Sequence, residues 1–213
     1  MKPYYSLVAA LMLSACSSIP DVRNEYQGSD AGRVAIGIGA SSNTYYSSYA
    51  FMFRKVGENN VDSNRFVYFQ DNVFSAQKRD YDNPEENGVV QSFRLAPGYY
   101  EIFNFDVFLN GGTIQKNFGS KKDFSIPFNV RPNETTYLGN YQANMVTGKN
   151  FFGFTILAGA VFVVTDREKA DLDHVKKRLP NVSFGPVSNA TPKVKAIANP
   201  FLVEATDMPL PSR

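Results

Sequence analysis

Cys16 is the only thiol in the chain and His174 the only imidazole. A thiolate is a nucleophile and a soft metal ligand, so Cys16 carries the greatest intrinsic reactivity here. It follows Leu13, Ser14 and Ala15, behind the positive charge of Lys2 and an apolar run over residues 7–13. That order is a charged segment, an apolar segment, then small residues before a cut. One imidazole cannot build a multi-histidine metal site, and a Ser-His-Asp triad would have to use this one. His174 stands between Asp173 and Val175, near the charged side of a predicted helix, and no nucleophile motif surrounds any serine. It reads as a solvated surface histidine. Asp80, Asp82, Glu85 and Glu86 form the densest acidic cluster. Paired carboxylates cleave glycosides and oxygen ligands hold calcium. The spacing does not match an EF-hand loop and Pro84 interrupts it, so a solvated acidic loop is expected. Neither a metal nor a cofactor is called for: Gly37-Ile38-Gly39 lacks the third glycine and following helix of a dinucleotide loop.

The four residues Leu13-Ser14-Ala15-Cys16 resemble the lipobox of bacterial lipoproteins at every position. The resemblance implies a signal peptide over residues 1–15 and cleavage between Ala15 and Cys16. It also implies a diacylglycerol thioether on Cys16 and acylation of the new amino terminus. The apolar stretch is shorter than the roughly 20 residues that a spanning helix needs. Each buried CH₂ contributes about 0.8 kcal/mol, so one acyl chain holds a protein marginally and two or more hold it stably. Ser17 stands where an Asp would mark inner-membrane retention, which resembles lipoproteins sorted to the outer membrane. The expected location is the outer membrane, lipid-anchored and facing the periplasm.

The formal net charge is +2, from 22 Lys and Arg against 20 Asp and Glu. No basic block is interleaved with aromatic residues, so nucleic acid is not an expected partner. With Cys16 acylated no thiol remains for a disulfide, and the fold must stand on its apolar core. That core is aromatic, with 18 Phe, 12 Tyr and no Trp, and it is punctuated by 15 Gly and 12 Pro. Such composition favours strands joined by many turns.

The elements follow from alternation. Residues 16–32 are polar and read as a tether. Val34, Ile36 and Ile38 share one face of a half-buried strand. Tyr49, Phe51 and Phe53 begin a second, and residues 65–70 make a third. Val89, Gln91, Phe93 and Leu95 alternate up to the Ala96-Pro97-Gly98 turn. Phe103, Phe105, Val107 and Leu109 lie on the longest strand, which Asn110-Gly111-Gly112 turns back on itself. Phe124, Ile126, Phe128 and Val130 point inward, and Pro127 faces out without a backbone donor, so this strand is an edge or carries a bulge. Phe124, Ile126, Pro127 and Phe128 are therefore the candidate edge for a partner strand. Residues 151–164 hold no charge. The run is too short to span a membrane and reads as one or two buried strands kinked at Ala158-Gly159. Thr165 and Glu168 have the spacing of a capping box for a helix over 165–179, with Leu172, Val175 and Leu179 on one face and Pro180 as its stop. Residues 181–213 form a partly ordered tail, in which Phe184, Phe201, Leu202 and Val203 are placed to dock.

About eight strands and one late helix over residues 33–180 indicate an all-β, antiparallel β-sandwich. Leu95-Ala96-Pro97-Gly98-Tyr99-Tyr100-Glu101-Ile102, and the later run from Phe128 through Arg131-Pro132-Asn133-Glu134 to Tyr137-Leu138-Gly139, carry a further likeness. They resemble bacterial lipoproteins with a prealbumin-like sandwich, close to carboxypeptidase regulatory-like domains. The resemblance implies a binding or scaffolding module and brings no active site with it. The expected function is non-enzymatic: an anchored envelope lipoprotein that binds another envelope protein. The alternatives are a small-ligand carrier, or a hydrolase of peptidoglycan or glycan using the acidic loop.

Overall fold

The computed structural model describes residues 25–57, 64–70, 77–113, 115–197 and 199–204. Ala15 and Cys16, with the lipid attachment expected there, lie outside the described residues. The described chain forms twelve strands, one α-helix and one 3₁₀ turn, arranged as two facing sheets. Strands β1 (Gly32–Ser41), β4 (Tyr81–Asp82), β5 (Glu86–Leu95), β9 (Thr135–Lys149), β10 (Thr155–Thr165) and β12 (Leu202–Glu204) make the larger sheet, in the order β12-β10-β9-β1-β5-β4. The short strand β11 (Val187–Asn189) adds to β9. The second sheet holds β2 (Ser48–Lys55), β3 (Asn64–Phe69), β6 (Gly98–Asn110) and β7 (Gln115–Gly119), ordered β3-β2-β6-β7, with β8 (Ile126–Val130) on β6.

The all-β sandwich with a single helix is thus what the chain forms. Its pairing is mixed: β1 runs parallel to β9, and so do β11 to β9 and β12 to β10. These pairs join segments far apart in sequence, which alternation cannot register.

The core lies between the sheets and is filled from alternate residues of each strand. Val34, Ile36, Ile38 and Ala40 of β1 and Phe162 of β10 share this core with Phe51, Phe53 and Phe105 of the opposite sheet, all fully or nearly fully buried. Their rings meet mostly edge-on or tilted, as aromatic quadrupoles prefer: Phe162 lies 4.7 Å from Phe51 and 5.2 Å from Phe105 between centroids. Strand β1 is not half-buried, as its alternation suggests. Its outer face carries Ala35, Gly37 and Gly39 and is covered as well.

That cover is α1 (Glu168–Arg178). The helix starts two residues later than the capping-box spacing implies. Thr165 remains in β10, Arg167 is the N-cap with no side-chain capping bond, and Asp166 instead accepts the Glu168 N–H at 3.1 Å. Leu172 and Val175 face the sheet, and Asp171 is buried beside them.

Two of the border strands of the second sheet, β3 and β8, are occupied or depleted along their free sides. At β3, the Gln91 side chain bonds both the N–H and the carbonyl of Val67, and Gln77 accepts from Phe69 N–H at 2.8 Å. At β8, Ile126 and Phe128 are core residues and Pro127 is exposed. The free side of β8 lacks the Pro127 donor, and its Asn129 carbonyl already accepts from the Thr136 hydroxyl at 2.8 Å. Edges treated this way resist further pairing.

Candidate functional site

The part of the fold that outruns its neighbours is the β9–β10 hairpin. Strand β9 is 15 residues long, and its pairing with β1 ends at Ala40 opposite Ala143. On β10, pairing with β12 covers only Phe162 to Val164. Beyond these limits, among the described residues, the two strands pair only with each other, out to Lys149 opposite Thr155. A two-stranded ribbon of this kind is marginal by itself in water. A bulge at its root shifts the register between Leu157 and Gly159, where Gly159 takes φ 130°. The Tyr46 hydroxyl clamps the root by donating to the Gly159 carbonyl at 2.7 Å.

The tip is built on Asn150. Its side-chain oxygen accepts from Phe152 N–H and Phe154 N–H, each at 3.0 Å, and its carbonyl accepts from Gly153 N–H at 2.9 Å. Its own N–H donates to the Phe154 carbonyl at 3.0 Å, and Gly153 supplies the left-handed φ of 80° that closes the turn. Three aromatic rings result in full view of solvent: Phe151 is 98% exposed, Phe152 77% and Phe154 68%. Ile156 continues the apolar surface. Lys149 is the only charged residue between Glu134 and Asp166. Residues 151–158 are therefore not buried strand, as the charge-free run suggests. Leu157 packs partly against the core, and full burial begins only at Gly159, because the opposite sheet ends before the ribbon does.

The sequence-derived candidates are scattered. Phe124 precedes β8 and is partly buried, while Ile126, Pro127 and Phe128 lie on that depleted edge. The acidic cluster is parcelled out to arginines: Asp80 to Arg178 at 2.5 Å, Asp82 to Arg79 at 2.9 Å and Glu86 to Arg167 at 2.6 Å. Asp80 also accepts the Val90 N–H at 2.7 Å, which ties the end of α1 to β5. These three carboxylates are structural partners of cations, and the loop itself contains β4. His174 is half-exposed, its ring centroid 6.2 Å from that of Tyr81. Among the described residues, no group of three or more His, Cys, Asp or Glu is placed to hold a metal ion, and no helix is long and apolar enough to cross a membrane.

A polar row that the sequence did not suggest lies under α1. Asp171 Oδ2 accepts from the Tyr137 hydroxyl at 2.7 Å and from Asn140 Nδ2 at 2.9 Å. Asn140 Oδ1 accepts from Gln142 Nε2 at 2.8 Å, and the same amide reaches the Tyr81 hydroxyl at 2.5 Å. Gly37, Gly39 and Gly88 make the room: an added Cβ at Gly37 would stand 2.6 Å from Asp171 Oδ2, and one at Gly39 would stand 2.6 Å from the Tyr81 hydroxyl. The row opens into a cleft of about 390 Å³ lined by Ser41, Glu85, Glu86, Gln142, Asn144 and Arg167 among others. The Arg167 guanidinium, 4.9 Å above the Tyr81 ring, closes one side. Burial raises the Tyr81 hydroxyl and the Tyr137 hydroxyl well above their ordinary values, so both stay protonated donors.

Burial also raises the Asp171 carboxyl, against the lowering effect of its Asn140 and Tyr137 hydrogen bonds. In the unfolded chain the same carboxyl titrates at its ordinary value, about 3.9. Between that value and the raised one the folded protein holds the extra proton, so the stability that this carboxyl contributes is fully present below pH of about 4 and is lost as pH rises through the raised pKa. Asp171→Asn is expected to flatten this part of the curve, measured as urea-unfolding free energy between pH about 4 and 7. An unchanged slope in Asp171→Asn would place the titration elsewhere, with Asp106, also raised by burial, the next group to replace.

No family model, curated protein or solved structure matches the chain.

Proposed function

We propose that the chain is an envelope lipoprotein, of the prealbumin-like sandwich type, that works as a non-enzymatic docking module. Lipid on Cys16 holds it at the outer membrane, facing the periplasm. It engages another envelope component through the tip of the β9–β10 hairpin. The observation that carries this reading is the exposure of Phe151, Phe152 and Phe154 on a ribbon that, among the described residues, has no strand beside it. A contiguous apolar surface kept in water marks an interaction site, since single exposed apolar residues are ordinary and clusters are not. Aromatic rings also bury large area for little lost side-chain freedom, as binding anchors do.

The test is photo-crosslinking in cells from a reactive aromatic residue placed at position 152. One dominant adduct is expected, and it should vanish in Cys16→Ser, which removes the anchor. Phe151→Ser with Phe154→Ser should cut adduct yield by about tenfold or more, because each ring contributes about 1.5 kcal/mol or more of burial. Thermal stability should not change, since neither ring packs in the core. An equally strong adduct from position 125 or 127 with none from 152 would move the docking surface to β8.

A further inference from the structure

The component that this hairpin engages, we infer, is a lipid bilayer, into which the rings of Phe151, Phe152 and Phe154 insert to interfacial depth. The inference rests on the docking reading above and names the partner of the same site.

Three observations favour lipid over a protein groove. First, the tip satisfies most of its backbone donors within itself. The N–H groups of Asn150, Phe152, Gly153 and Phe154 all bond within the turn, the last three to Asn150 itself. Backbone entering hydrocarbon must be satisfied internally, whereas a strand-pairing site leaves its donors open. Second, the rings are splayed. Phe151 and Phe152 touch each other edge-on, 5.5 Å between centroids at 84°, and Phe154 leads into the strand that returns from the turn. A groove complements one face, while acyl chains surround a convex tip from every side. Third, the only charge nearby in the chain is Lys149, exposed at the foot of the turn. Its long stem lets the ammonium remain at the headgroup level while the rings go deeper. Aromatic rings at that level are the usual interfacial anchors.

The topology sets the orientation. Because β1 and β9 are parallel, the chain enters the domain beside Thr135, at the pole opposite the tip. Fifteen residues of β9 separate the two, about 50 Å at 3.3 Å per residue. The tether therefore meets the domain at the pole opposite the rings.

The chain has no tryptophan, so Phe152→Trp is a sole reporter at the tip. The purified full-length chain carrying it is mixed with vesicles of phosphatidylethanolamine and phosphatidylglycerol. Emission is expected to shift to the blue and to be quenched by lipids brominated on the acyl chain. Tyr99→Trp, 70% exposed at the far pole, reports contact elsewhere and should shift less. Adding Phe151→Ser and Phe154→Ser should reverse the tip signal and lower the vesicle partition coefficient by about a hundredfold. A tip tryptophan that keeps its aqueous emission on vesicles overturns the bilayer. If such a tip still yields one protein adduct in cells, docking stands and the partner is a protein. If it yields neither, both readings fail.

Discussion

Phe162→Ala is expected to lower the stability of the domain by about 3–5 kcal/mol, the range for deleting a buried aromatic side chain. Phe162 is fully buried on β10 and is the ring at which the sheets meet. It contacts Phe51 and Tyr49 of β2 and Phe105 of β6, all from the opposite sheet. Its neighbours in register, Ala143 and Leu202, are too small or too constrained to fill the space. A loss of this size is a large share of the roughly 5–15 kcal/mol that holds a typical domain. Urea unfolding followed by tyrosine fluorescence measures it, and if the variant does not fold at all, circular dichroism of the purified chain shows the loss. Phe154→Ala is the matched control. It removes the same kind of side chain from the same hairpin, yet should stay within about 0.5 kcal/mol of the parent, because its ring is already in water. Equal losses at the two positions would mean that the hairpin tip is packed in solution.

The second large effect is expected at Gly37. Gly37→Val should cost about 2–6 kcal/mol, summing overpacking of about 1–3 kcal/mol with the penalty of about 1–3 kcal/mol for a displaced buried polar partner. The new side chain would enter the space held by the Asn140 amide and the Asp171 carboxylate. Asp171 already has one oxygen, Oδ1, without a hydrogen-bond partner, so pushing Oδ2 off Tyr137 and Asn140 strips the buried carboxyl of its hydrogen bonds. Ile36→Val, one residue away but facing the other side of β1, should cost only about 0.5–1.5 kcal/mol. A Gly37→Val variant as stable as Ile36→Val would show that α1 can lift from the sheet at little cost. Hydrogen exchange at the helix amides would reveal the lift directly.

The local pattern of residues determined much of this protein. Alternation marked the strands, Asn110-Gly111-Gly112 and Ala96-Pro97-Gly98 marked the turns that close β6 on each side, and Pro127 marked β8 as an edge. The face of α1 was legible from Leu172, Val175 and Leu179. These are properties of neighbouring residues: a strand turns its side chains over every residue, and a proline lacks its N–H wherever it sits.

What lay beyond the sequence depends on which distant segment comes to rest beside which. Residues 151–156 and residues 159–164 are alike in composition, yet the first group stands in water and the second in or against the core. The difference is set by the length of β1 and of the opposite sheet, not by anything within the run. The acidic loop looked free because Arg167 and Arg178, which take up Glu86 and Asp80, come more than 80 positions later. The glycines of β1 carried no signal by themselves. Their purpose shows only once Asn140 and Asp171, arriving from another strand and from the helix, occupy the space a side chain would have filled.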